Sequence, residues 1–298
     1  MDGSEADLIM EIAEGIHRIE SDLGERFICQ YAIAGRERAV LVDTGLADTP
    51  AVVIDPYLSR AGLDPDFVVI SHADNDHVGG NRACHGAHPD AVFACHELDR
   101  RWVESNEALV RENYGWHAAH GFPPMDADEL FASMGGDSPI DVGLRGGETI
   151  RLDDARRIEV LHLPGHTPGH LGLWDEQTRA AIIIDAVLAD GIYDRAGNKM
   201  IPPRYYDLRA LRLTIARLEA LRPELLLTAH YPVLDRVEAL EWLATGRAFV
   251  DDVERVVRSA PAEERGDLWA LTRRVDAALG PFPQFMTELG ATVREAAH

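Results

Sequence analysis

The sequence predicts an α/β fold, a sheet covered by helices, on three observations. Short runs rich in Val and Ile, closed by Gly, Asp or Asn, alternate with helical stretches along the first half of the chain. Several of these runs end in a residue able to hold a metal ion or orient a ligand. The composition, 46% apolar and 27% charged over 298 residues, is that of an ordinary globular chain long enough to bury a large core.

The first strand signals lie at 27–34, at 39–42 ending in Asp43-Thr44-Gly45, and at 67–70 ending in Ser71-His72. Between the last two, 49–61 reads as a helix interrupted near Pro56 and stopped around Gly62. This β-then-α rhythm is what places helices over a sheet. From His96 to Met134 the chain reads as helical and then as aromatic and loop-like, an insertion over a site. Strand patterns resume at 148–152, 157–163, 171–174 and 181–184. After Tyr206 the period becomes 3.6, with Leu208, Leu211, Ile215 and Leu218 on one stripe. A last apolar run, 225–227, precedes Thr228-Ala229-His230. Val250, Val253 and Val257, then Leu268, Leu271, Val275 and Leu279, mark further helices, which the prolines of 281–283 end. No internal repeat and no low-complexity segment is seen.

Twenty-nine Lys and Arg against 51 Asp and Glu give a formal charge of −22. A polyphosphate partner needs a basic face that releases counterions, and an anionic lipid surface needs the same, so nucleic acid and membrane are both disfavoured. Residues 1–20 carry acids and no basic segment leading into an apolar stretch, so they do not read as a signal peptide. Cys29, Cys84 and Cys95 lack metal-type spacing and read as reduced thiols, which fits a cytoplasmic protein.

The polar residues at the ends of the apolar runs need a common explanation. Asp43, His72, Asp185 and His230 each follow such a run, and a buried carboxylate or imidazole without a partner is costly. A metal centre is the simplest answer. The densest cluster, Ser71-His72-Ala73-Asp74-Asn75-Asp76-His77-Val78-Gly79-Gly80, packs two imidazoles and two carboxylates into six residues. That is too many for one ion without strain, so two neighbouring ions are the natural reading.

With Pro164-Gly165-His166-Thr167-Pro168-Gly169-His170, Asp185 and His230 following in order, the sequence resembles the metallo-β-lactamase superfamily, whose signature is His-x-His-x-Asp-His and then a His, an Asp and a His. The resemblance runs from about Ile16 to Pro232. It implies an αββα sandwich of two mixed β-sheets flanked by helices. The catalytic domain would span 1–240, with 96–134 inserted, and 241–298 would form a helical extension packed on it. The resemblance also implies that His72, Asp74 and His166 hold a first ion, that Asp76, His77 and His230 hold a second, and that Asp185 bridges them. Asp43 would support the site from behind, and His170 would pack against or orient a ligand.

The departure from the family pattern is Asp74, where most hydrolytic members carry His and the flavodiiron relatives carry a carboxylate. Two divalent ions with two carboxylates and a bridging hydroxide keep one positive charge; a third carboxylate makes the centre neutral. An oxygen ligand tilts the choice from zinc towards manganese or iron. A less positive centre makes its bound water less acidic and has less pull on an anion, which favours a neutral or weakly charged substrate. The competing view is that Asp74 does not reach a metal and that a single ion sits with Asp76, His77 and His230.

The expected activity is metal-dependent hydrolysis of an ester, thioester or lactone by a metal-bridging hydroxide, with Asp76 or Asp185 taking up the proton. An activated phosphoester, sulfate ester or aryl ether is also within its reach. A non-haem di-iron or mono-iron oxidoreductase of the same fold is the alternative; the 68 residues after His230 lack the Gly-rich loop of an appended flavin domain. Selectivity is expected from 96–134 and 188–206. Aromatic residues there (Trp102, Tyr114, Trp116 and Phe122, then Tyr193, Tyr205 and Tyr206) read as packing or as walls of an apolar pocket. One tyrosine of the second group would assist the leaving group, and His117 and His120 are further pocket candidates. The apolar stripes after Val250 would serve as a cover or as an interface between copies.

Overall fold

The computed structural model describes residues 10–123 and 126–298; the expectations for residues 1–9 and for 124–125 of the insertion lie outside the described residues. Two mixed sheets lie face to face. The first runs in chain order: β1 (Glu11–Ala13), β2 (Ile16–Leu23), β3 (Arg26–Ala34), β4 (Ala39–Val42), β5 (Phe67–Ile70), β6 (Val92–His96) and β7 (Val142–Leu144). It is antiparallel through β4 and parallel from β4 to β7. The second contains β8 (Thr149–Arg151), β9 (Arg157–His162), β10 (Leu171–Asp175) and β11 (Ala180–Ile184). A small hairpin, β12 (Ile192–Tyr193) and β13 (Lys199–Ile201), precedes its last strands, β14 (Leu225–Thr228) and β15 (Leu234–Asp235). β14 enters parallel to β11, and the sheet order is β15-β14-β11-β10-β9-β8.

Strand alternation divides the core into three layers. Val40, Val42, Val69, Leu173, Ile182 and Leu227 meet between the sheets. Their neighbours Leu41, Val68 and Ile70 point outward to the helices over the first sheet. Ala181, Ile183 and Leu226 pack on those over the second. Period-2 burial on both faces is what an α/β sheet covered on each side requires, and each buried Val, Leu or Ile contributes about 1.5–3 kcal/mol. The predicted αββα sandwich is the observed fold.

The helices Leu208–Leu221, Arg236–Arg258, Leu268–Leu279 and Met286–Ala296 cover the second sheet and share its hydrophobic cluster with Phe282 and Leu289. The boundary expected at 240/241 falls inside the helix Arg236–Arg258. The break at 281–283 is present, but the chain turns helical again at Met286. The stretch expected as one helix interrupted near Pro56 is a π-helical segment, Pro50–Ile54, that gives way to the α-helix Asp55–Ala61; Pro56 sits in the first turn of the latter, where its missing N–H costs nothing, and Gly62 closes it at φ 69°. The aromatic half of the 96–134 segment, expected as loop, winds into short π- and 3-10-helical turns from Leu109 to His120. Cys29, Cys84 and Cys95 are buried free thiols. Among the described residues no helix is long and apolar enough to cross a membrane.

Candidate metal centre

The strand ends deliver the site. β4 runs into Asp43, β5 into Ser71 and His72, β11 into Asp185, and β14 into Ala229 and His230. Asp76 and His77 sit on the short helix Asn75–Val78 directly after the β5 loop. Two turns are strained: Asp43 has φ 64° and Ile184 has φ 51°. A β-branched residue there costs about 1–3 kcal/mol, and this one aims Asp185 across the sheet edge.

All four predicted ligand histidines are oriented in the same way. Asp43 accepts hydrogen bonds from His77 Nδ1 (2.8 Å), Ser71 N (2.7 Å) and Ser71 Oγ (2.7 Å). Because the Ser71 hydroxyl donates to Asp43, its oxygen accepts from His72 Nδ1 at 2.9 Å. His166 Nδ1 donates to the Arg204 carbonyl at 2.8 Å, and His230 Nδ1 to that of Phe27 at 3.1 Å. Each ring thus spends Nδ1 on an oxygen and presents Nε2 to a common centre, the orientation that metal-ligating histidines need.

Around the second position, Asp185 Oδ2 lies 3.3 Å from His77 Nε2 and 3.2 Å from His230 Nε2. Asp76 oxygens lie 3.8 Å from His77 Nε2 and 3.7 Å from His230 Nε2. The ligand atoms of a tetrahedral ion with bonds of about 2.1 Å stand about 3.4 Å apart, so these separations fit one. His77 Nε2 and Asp185 Oδ1 are buried with no hydrogen-bond partner among the described residues. Burial alone would raise the Asp185 carboxyl, but the His230 and His77 imidazoles outweigh it and hold it well below its ordinary range. The donors fit a metal ion.

At the first position Asp74 Oδ2 lies 3.3 Å from His72 Nε2 and 3.1 Å from His166 Nε2, so Asp74 does join the ligand cluster. Its other oxygen is already engaged. Asp74 Oδ1 is paired with the Arg204 guanidinium and accepts from the Tyr114 hydroxyl at 3.1 Å. Arg204 is buried, its Nη2 also lies 3.4 Å from His166 Nε2, and its Nε is ion-paired with Glu288 at 3.0 Å. Burial opposes ionisation of Asp74, yet Arg204 and the two imidazoles hold its carboxyl well below the usual range. His170 stacks on His72, ring centroids 4.7 Å apart and planes at 18°, the packing role expected of it.

The centre floors a cavity of about 570 Å³. Its apolar walls include Leu23, Leu188, Ile192, Ile201, Phe285 and Met286, and its other carboxylates include Asp126, Glu129 and Glu288. Arg26 and Arg204 are the cationic side chains on it. The tyrosines expected to assist a leaving group turn elsewhere. Tyr193 donates to Asp190 (2.8 Å), Tyr205 accepts from Leu188 N (2.9 Å), and Tyr206 donates to the Asn113 carbonyl (3.0 Å). His117 packs against Trp116 and Phe122. The tyrosine on the cavity wall is Tyr114.

Sequence reasoning missed Arg204, Glu288 and the wall formed by 285–288. It also missed Asp99, which accepts from Thr167 Oγ1 (2.5 Å) and Gly169 N (2.7 Å) and so holds the loop that carries His166. Arg204 had one faint signal, a lone cation inside Pro-Pro-Arg-Tyr-Tyr of an acidic chain.

The family model described as metallo-beta-lactamase superfamily matches residues 23–230. The probable metallo-hydrolase YflN of Bacillus subtilis is 24% identical over 74% of this chain and 85% of its own length. The acyl-coenzyme A thioesterase MBLAC2 of Gallus gallus is 27% identical over 55% of this chain, which spans 59% of that relative's length. A beta-lactamase domain protein from Burkholderia ambifaria superposes with a TM-score of 0.74 at 20% identity, covering 100% of this chain and 88% of the other, and so shares the fold.

Proposed function

The chain belongs to the metallo-β-lactamase superfamily and is a hydrolase of that fold; from this premise we propose that it hydrolyses a neutral or weakly charged ester, thioester or lactone with two divalent ions. The observation that carries the reading is the convergence of His72, His77, His166 and His230 Nε2 with the carboxylates of Asp74, Asp76 and Asp185, of which His166, His230 and the three carboxylates line an apolar-walled cavity. His72, Asp74 and His166 would hold the first ion and Asp76, His77 and His230 the second, with Asp185 between them. Ions bound there would supply Lewis acidity and make water acidic enough to react near neutral pH. Zinc, manganese and iron all suit the donor set, and the Asp74 oxygen favours the harder two.

Asp76 and Asp185 border the cavity and would take up the proton of the attacking water. Leu188, Ile192, Ile201, Phe285 and Met286 would receive the apolar part of the substrate and exclude water from it. The activity named for MBLAC2 supports the thioester arm only in the bond cleaved, because the coenzyme A of that relative's substrate itself carries a polyphosphate. A polyphosphate handle is disfavoured: the lining is rich in carboxylates, and of its two arginines Arg204 is already ion-paired.

The test is a hydrolysis screen of ester, thioester, lactone and aryl-ether probes with the Zn, Mn and Fe forms, each probe in a neutral and an anionic version. A higher kcat/KM for the neutral member of each pair is expected. Equal or faster turnover of the anionic members would overturn the substrate assignment.

A further inference from the structure

The donors of the two metal positions are not in the same state. Buried donors without a hydrogen-bond partner among the described residues occur at both, His77 Nε2 and Asp185 Oδ1 at the second and His72 Nε2 at the first; what differs is the cation beside them. At the first, Asp74 Oδ1 and His166 Nε2 both face Arg204 Nη2. A guanidinium cannot shed its proton at any ordinary pH, and this one has no solvent to screen it. The only other carboxylate ion-paired to it among the described residues is Glu288, on the helix Met286–Ala296. That helix lies beyond the segment matched by the family model.

We propose that Arg204 is a built-in counter-cation of the first metal position, so that the two positions fill in sequence. Building on the metallo-hydrolase reading, the Asp76, His77, Asp185 and His230 position fills first. The His72, Asp74 and His166 position fills at ion concentrations at least about a hundredfold higher, because a dication there must share Asp74 with a fixed positive charge and lie next to it. Glu288 sets how strong that opposition is, since it neutralises part of the guanidinium charge. Arg204 and Glu288 are positioning residues in this scheme: they act on the ion through Asp74 and His166. A charge on the C-terminal helix thereby controls the occupancy of a site about two hundred residues away in sequence.

The experiment reads binding, not turnover. Chelator-stripped protein is titrated with Co²⁺, followed by visible absorption, and with Zn²⁺ by equilibrium dialysis and elemental analysis. The wild type is expected to bind one ion per chain and then a second with at least about a hundredfold weaker affinity. Arg204→Met should bring the two affinities within about tenfold, and Glu288→Gln should push them further apart. Because Arg204→Met leaves a buried Glu288 unpaired, the double variant Arg204→Met/Glu288→Gln is measured beside it, with the same narrowing expected. Two ions of equal affinity in the wild type, or a second step that neither Arg204 variant moves, would overturn this proposal and leave the hydrolase reading standing. A folded protein that takes up no ion would overturn both. Activity in the substrate screen with two equal ions bound would separate the two readings cleanly.

Discussion

His77 Nδ1 donates to the buried Asp43 carboxylate at 2.8 Å, and the same carboxylate holds the backbone and hydroxyl of Ser71, the residue that fixes His72. One aspartate therefore sets the ring orientation of a histidine at each metal position. Asp43→Ala should lower metal affinity by about 10–100-fold at the second position and loosen the first as well. Equilibrium dialysis with Zn²⁺ checks this. Asp43→Asn should recover part of the loss only if the amide oxygen faces His77, because its NH₂ cannot accept from the ring.

How much of this was legible in the sequence depends on the range over which each feature is encoded. Ala39–Val42, Phe67–Ile70 and Ala180–Ile184 are short runs of Val, Ile, Leu and Ala whose strand character is local, and the ligands at their ends were visible for the same reason. β2 was not seen, because His17, Arg18 and Ser21 interrupt its apolar pattern although all three are buried in the fold. β6 was hidden because its run leads directly into the segment read as an insertion. Arg204 and Glu288 stand 84 positions apart in segments without a motif, and only the docking of the last helix brings them together. The charge count at Asp74 was incomplete for that reason: it contained every ligand but neither of these neighbours.

Asp99 gives a pH signature. Burial pushes its carboxyl up to about 6 from 3.8, against the pull of its bonds to Thr167 and Gly169. The native state therefore keeps a proton that the unfolded chain has lost, and stability falls as pH rises from about 4 through 6. The full effect is about 3 kcal/mol, of which about 1 kcal/mol falls above pH 5.5. Asp99→Asn cannot ionise and also gives up one of the two accepted bonds. It should be less stable than wild type at pH 5.5, with the gap about 1 kcal/mol smaller at pH 8. Urea midpoints of metal-free protein at the two pH values measure it, and a gap that widens with pH contradicts the assignment.

Gly290 joins the last helix to the insertion. A methyl group at this position would come within 2.4 Å of the Phe122 ring, which packs edge-on against Trp269 at 4.9 Å. Gly290→Ala gains about 1 kcal/mol of helix propensity but overpacks a closed contact, so a net loss of about 1–2 kcal/mol is expected. In a Phe122→Leu background the clash is relieved, and the same substitution should become neutral or stabilising. Thermal unfolding of the four proteins decides this. The displaced helix carries Met286 and Glu288 on the cavity wall, so Gly290→Ala alone should also raise KM more than it changes kcat.

The Asp74 and Arg204 pair should show strong coupling in a double-mutant cycle. Both groups are buried, and the consequences of removing one or the other differ. Asp74→Asn leaves the guanidinium with Glu288 alone. Arg204→Met leaves two carboxylates, Asp74 and Glu288, close together with no cation between them. Arg204→Met should cost about 3–5 kcal/mol in metal-free protein and Asp74→Asn less, whereas the double variant leaves only Glu288 unpaired and should cost clearly less than the sum. A coupling of about 2 kcal/mol or more is expected from urea denaturation. Repeating the cycle with excess Zn²⁺ separates packing from metal competition. An ion at the first position can replace Arg204 as the partner of Asp74, so Zn²⁺ should stabilise Arg204→Met more than it stabilises the wild type. Equal stabilisation of the two would mean that guanidinium and ion do not compete for this carboxylate, whatever the size of the coupling.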